Sequence, residues 1–164
     1  MDVKGMNLYF LYAYGIGGER HEMSALSGNT VPFFQDRWHS KHLVIYMWHS
    51  RGGKYVVSDF EYLYKMRDEF SGEVDFWFVN LSGADRKERN NAKKFAESNC
   101  LEADSILLDT YGEVAATFDI SHYSVIAFVK RDNYVFDKLE GDFDEDAVRR
   151  VISSMVKSPL HRDF

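Results

Sequence analysis

The sequence predicts an α/β domain: a central mixed β-sheet flanked by helices on both faces, with an N-terminal extension. Three observations carry the prediction. Short apolar and aromatic runs at 43–48, 74–79 and 125–129 have the length of strands, and the first is apolar throughout, as suits a strand buried on both faces. Segments with helical spacing separate these runs, which implies parallel neighbours joined by right-handed crossovers. The chain then closes with a hairpin and a helix, which adds an antiparallel edge.

The elements follow in order. After the strand at 43–48 comes the turn Ser50-Arg51-Gly52-Gly53-Lys54. Val56, Phe60, Leu63, Met66 and Phe70 then recur at three- and four-residue spacing, one face of a helix that Gly72 ends. A strand at 74–79 leads to a polar helix over 85–98 whose apolar stripe is Ala92, Phe95 and Ala96. A short strand at 106–108 and a helical turn over 111–118 follow. Arg131-Asp132-Asn133 forms a turn between the strand at 125–129 and its return at 134–139. Gly141 breaks the chain. Asp144, Glu145 and Asp146 open a last helix with Ala147, Val148, Val151, Ile152 and Met155 facing inward, and Lys157 in its last turn complements the dipole. The expected divisions are an N-terminal extension over 1–30, a domain over 31–157 and a tail over 158–164.

Composition narrows the function. The 164 residues suit one domain, and 45% hydrophobic with 28% charged residues is a globular balance. The aromatic share of 16% favours strands and bulky core packing. A formal net charge of −6 gives no sign of a protein that neutralises nucleic-acid phosphates. No run approaches the roughly 18 apolar residues of a membrane span. Residues 6–16, apolar after Lys4, have the outline of a short signal-peptide core. Their alternating Tyr and Leu and a poor cleavage site favour a strand. Cys100 is the one cysteine, so the chain can form no internal disulfide.

Two phrases resemble a known family. The run FFQDRWHSKHLVIYMWHSRGGKY is similar to F-x-L-x-D-x-x-G-K-x-V-L-V-N-F-W-A-x-W-C-x-x-C, with Phe34, Asp36 and Lys41 near their counterparts and Met47-Trp48 on the F-W. Asp109, Gly112, Val114 and Ala115 match D-x-x-G-x-V-A residue for residue. Residues 31–155 thus resemble the TlpA/ResA-like branch of the thioredoxin superfamily, which implies a thioredoxin-like fold. The same resemblance puts Gly52 and Tyr55 where the redox cysteines belong, Arg51 on the second tryptophan and Ser124 on the cis-proline. A cis bond before a non-proline residue costs about 2.5–4 kcal/mol, so a trans bond is expected there. Thioredoxin chemistry needs a thiolate at a helix N-terminus and a second thiol to release the mixed disulfide. Gly52 and Tyr55 supply neither, and peroxiredoxin chemistry lacks its thiol as well. Cys100, just after a helix, reads as a small core or loop hydrophobe.

Other patterns are weaker. Arg51-Gly52-Gly53-Lys54, with His49 beside it, lies between a strand and a helix and offers an anion-binding turn, without the spacing of a Walker A loop. A turn that drifted after losing its cysteines is the leading reading. His49 and His122 fall at one pole of the implied fold, where a pair can exchange protons, but no nucleophile accompanies them. His39 and His42 lack further metal ligands. Gly15, Gly17 and Gly18 read as a loop, and the acids at 142–146 as a helix cap.

The leading expectation is a redox-inactive thioredoxin-like module that binds a protein partner or serves in a larger assembly, with no catalytic residue, cofactor or metal. A non-thiol enzyme or small-anion binder using His49, Arg51, Gly52, Gly53, Lys54 and His122 is the alternative. A thioredoxin-family oxidoreductase by homology is a third. The resemblance makes an extracytoplasmic or organellar location possible.

Overall fold

The computed structural model describes residues 4–5, 22–25, 30–32, 40–81, 85–102, 105–109, 113–118, 120 and 124–160. The strands are β1 (Glu22–Ala25), β2 (Thr30–Pro32), β3 (His42–Trp48), β4 (Val74–Asn80), β5 (Ile106–Leu108), β6 (Ser124–Val129) and β7 (Val135–Glu140). The helices are α1 (Lys54–Glu69), α2 (Arg86–Ser98), α3 (Glu113–Phe118) and α4 (Glu145–Lys157), with a single 3-10 turn at Ser50–Gly52 before α1. All seven strands form one sheet in the order β2-β1-β5-β4-β3-β6-β7. β3, β4 and β5 run parallel, and β6 and β7 are antiparallel to their neighbours. β1 and β2 pair antiparallel and add to the far edge through β5. The apolar run at 6–16 and the glycines at 15–18 lie outside the described residues.

The central strand shows why its sequence is apolar throughout. Val44, Tyr46 and Trp48 point to one core, while Leu43, Ile45 and Met47 point to the other. The first core is covered by α1, α2 and α4 through Phe60, Leu63, Ala92, Ala96, Val148 and Ile152. The second is covered by α3 through Val114 and Phe118. Each large side chain so buried contributes about 1.5–3 kcal/mol. Phe60 anchors the first core: it stacks on Phe78 at 4.9 Å and meets Tyr46 and Trp48 edge-on at 5.6 and 5.4 Å.

Local chemistry sets the helix ends. Asp85 caps α2 by accepting from the Lys87 and Glu88 amides, and Asp144 caps α4 by accepting from Ala147. Of the acids at 142–146, Asp144 is the cap, and Glu145 and Asp146 lie in the first turn of α4. The hairpin turns at Asn133, whose φ of 70° is one that asparagine tolerates.

Cys100 corrects part of the sequence reading. It is exposed, so it is no core residue. Its φ is 55°, the left-handed conformation that ends α2. The Leu101 amide donates back to the Ala96 carbonyl at 2.9 Å and the Cys100 amide to Glu97 at 3.5 Å, a motif that ordinarily uses glycine. Cys100→Gly relieves about 1–2 kcal/mol of left-handed strain against the extra freedom glycine gives the unfolded chain, so a net stabilisation of about 0.5–1 kcal/mol is expected in urea denaturation. A loss of stability would show that the thiol contributes something its exposure hides.

Candidate functional site

The parallel strands end together, and their C-terminal edge is where an α/β sheet ordinarily presents a site. Trp48 closes β3, with Asn80 beside it on β4 and Ser124 beside it on β6. The chain then turns through residues 49–53 into α1. That turn uses its own donors. The Arg51 amide bonds His49 Nδ1 at 3.1 Å, the Gly52 amide bonds the His49 carbonyl at 3.0 Å, and the Gly53 amide bonds the Ser50 carbonyl at 3.2 Å. Gly53 has a φ of 54°, which favours glycine. Three amides that an anion would need are therefore engaged within the protein.

Glu88 organises this turn, and the sequence reading missed it. Its side chain is 2% exposed. Oε2 accepts from the Ser50 amide at 2.9 Å and from Asn80 Nδ2 at 2.9 Å. Oε1 accepts from the Ser50 hydroxyl at 2.5 Å and lies 3.4 Å from His49 Nε2. Because His49 Nδ1 accepts from Arg51, the neutral ring carries its proton on Nε2, facing the carboxylate. His49 is thus turned toward Glu88. In sequence, Glu88 looks like an ordinary acid in the first turn of a capped helix. The one signal is its partner: Asn80, a polar residue ending a buried strand.

The other candidates lie around the turn. Arg51 and Lys54 are exposed, and Lys54 Nζ sits 5.7 Å from the Tyr55 ring centroid. Tyr55 itself is 71% exposed. A Cβ built on Gly52 would lie 3.9 Å from the Ser124 hydroxyl, so these two positions face each other across the pole. His122 and His39, and the bond from Tyr123 to Ser124, fall outside the described residues. His42 lies at the opposite end of β3, where its Nδ1 accepts from the Arg131 amide at 3.0 Å. Burial, then the Arg131 and Lys130 charges, lower its pKa. Among the described residues no group of three or more His, Cys, Asp or Glu is placed to hold a metal.

A second polar set runs from Ser124 into the α1 flank. Ser124 acts on the Tyr46 phenol, which donates to Asp59 Oδ2 at 2.8 Å. Tyr62 donates to Asp59 Oδ1 at 3.0 Å. Burial pushes the Asp59 carboxyl above its ordinary 3.8, and the two phenols pull it back down. Burial and then the Asp59 charge hold Tyr46 well above 10.0. Since the folded chain binds this proton more tightly than the unfolded chain, Asp59 makes stability fall as pH rises from about 4 through its raised value. Asp59→Asn is expected to remove that slope. Urea midpoints of the two proteins across this range check it, and a wild type that gains on the variant with rising pH would contradict it.

The D-x-x-G-x-V-A phrase also has a geometric explanation. Asp109 is buried, and its two carboxylate oxygens each accept one amide, Val114 and Ala115, both at 3.1 Å. It holds the first turn of α3 against the end of β5.

Comparison with protein-family models finds no match, and comparison with curated proteins finds none. Solved structures do match. The exposed lipoprotein thioredoxin Etrx1 of Streptococcus pneumoniae has a TM-score of 0.67 at 15% identity, over 81% of this chain and 97% of that one. A putative thiol:disulfide interchange protein DsbE from Chlorobium tepidum has a TM-score of 0.68 at 17% identity, over 82% and 92%. A secreted Mycobacterium tuberculosis disulfide oxidoreductase, homologous to Escherichia coli DsbE, has a TM-score of 0.64 at 14% identity, over 81% and 94%. The chain therefore has the thioredoxin-like fold of these proteins, with an N-terminal extension. Among the described residues, no helix is long and apolar enough to cross a membrane.

Proposed function

We propose that this chain is a redox-inactive thioredoxin-like module that binds a protein partner at the pole formed by residues 49–55 and Ser124. The observation that carries the reading is Tyr55. It is the one large hydrophobic side chain left exposed among the described residues, and it stands at the first turn of α1 where the resemblance puts a redox cysteine. Exposed aromatic side chains anchor protein interfaces at low entropic cost. The Glu88 network holds the turn beneath Tyr55 in one conformation, which lowers the cost of ordering it on binding.

Tagged wild type and Tyr55→Ala are to be purified from the native source under identical conditions. The expected result is a stoichiometric partner that the variant loses at least tenfold. Equal recovery by both proteins would remove Tyr55 from the interface.

An oxidoreductase assignment fits the same fold, since the matching structures include proteins named as a thiol:disulfide interchange protein and a disulfide oxidoreductase. The single cysteine argues against it. Insulin reduction with a dithiol reductant separates the two readings: background turnover is expected, and activity above it overturns redox inactivity. The anion-binding or non-thiol enzyme reading keeps Arg51 and Lys54 as exposed cations. It is disfavoured by the engaged amides of Arg51, Gly52 and Gly53 and by the buried Glu88 carboxylate. The extracytoplasmic names among the matching structures support an extracytoplasmic location for this chain.

A further inference from the structure

At the end of the sheet opposite the pole, the β6–β7 hairpin, residues 158–160 and residues 4–5 line a groove of about 430 Å³. The Gly5 amide ties its rim to the Val135 carbonyl at 2.7 Å. Val135, Phe136, Pro159 and Leu160 give it apolar walls, and its charged side chains are Lys4 and Lys130.

Lys130 is the unusual member. It is 2% exposed. Its ammonium donates to the Pro159 carbonyl and, at 3.4 Å, to the Ser158 hydroxyl, both neutral oxygens. Among the described residues, no carboxylate forms an ion pair with it. A buried ammonium without an opposing charge is costly, so such groups are normally paired. Positive charge is also felt nearby: after burial, the Arg131 and Lys130 charges lower the pKa of His42, and the Asp132 charge raises it. An apolar cleft of this size with a few placed polar groups is the ordinary form of a small-molecule site.

We propose that this groove binds an amphipathic carboxylate, an aliphatic chain ending in a carboxylate group. The head group pairs with Lys130 and supplies a negative charge that, among the described residues, no ion pair brings to it. The chain lies along Phe136 and Leu160. This inference is independent of partner binding at the pole.

The test is calorimetric titration of the full chain with decanoate, and with decanol as the uncharged control, both below their aggregation limits. Saturable decanoate binding is expected, at least tenfold tighter than decanol. Lys130→Met, which keeps the apolar stem, is expected to weaken decanoate at least tenfold. Lys130→Gln serves if the methionine variant does not fold. Decanoate is also expected to raise the melting temperature of the wild type and leave that of the variants unchanged. Absence of saturable binding, equal binding of decanol, or unchanged affinity in the folded variant would each overturn the proposal.

Discussion

Replacing Glu88 with alanine is expected to destabilise the fold by about 3–5 kcal/mol, read as a shift in the urea midpoint at constant slope. The size follows from what the carboxylate does. It accepts from the Ser50 amide, the Ser50 hydroxyl and Asn80 Nδ2, three donors on two other parts of the chain. Removing it leaves the Asn80 amide group buried without an acceptor, at about 1–3 kcal/mol for such a group, and opens a hole under the turn. Asn80 has little slack, because its Oδ1 is already buried without a hydrogen-bond partner. Glu88→Gln separates charge from shape. Its oxygen replaces one acceptor, but its NH₂ then confronts the other donors, so an intermediate loss is expected. A Glu88→Ala loss under about 1 kcal/mol would mean that water takes over these bonds. The variant also tests the proposed function, since Ser50 and His49 hold the turn that presents Tyr55. Partner recovery is expected to fall even where the variant remains folded.

Glu88 also marks the limit of what the sequence can disclose. The strand at β3 was legible because six consecutive apolar residues can satisfy two cores only at the centre of a sheet. α1 and α4 were legible because their buried residues recur at helical spacing, and Asp144 because a cap acts within three residues. Each of these is a local pattern. Glu88 acts across 38 residues to Ser50, and Tyr46 across 13 to Asp59, so no window along the chain contains both partners. The charge of Glu88 even misleads, because an acid in the first turn of a helix is usually solvated and favourable there. Asp109 shows the opposite case: its phrase was conspicuous, but its buried position shows that it caps a helix. Cys100 was misjudged in part because its residue type suggests burial, whereas its backbone conformation is the one a helix end requires.

Adding a methyl group at Gly52 is expected to cost about 1–3 kcal/mol, because the space is already filled. A Cβ there would lie 2.4 Å from Val56 Cγ2, well inside any normal contact. Val56 is fully buried and β-branched on a helix, so one rotamer dominates and the methyl cannot swing aside. Gly52→Ala should therefore be poorly tolerated, and Gly52→Cys at least as poorly. The cause can be isolated with Val56→Ala, which removes the obstructing methyl. In a double-mutant cycle, Gly52→Ala with Val56→Ala is expected to cost less than the sum of the single variants by about 1 kcal/mol. An additive cycle, or a Gly52→Ala protein as stable as the wild type, would place the clash elsewhere or deny it. The same packing bears on redox chemistry. Restoring both cysteine positions with Gly52→Cys and Tyr55→Cys introduces one thiol against Val56 and another where Tyr55 is 71% exposed. Insulin reduction by that double variant is expected to stay at background, and turnover well above it would show that the scaffold still accommodates a dithiol. Background turnover, with the cycle coupled as expected, would mean that the neighbours of the site have repacked around glycine. Inactivity would then be a property of the core beneath the pole as well as of two missing sulfur atoms.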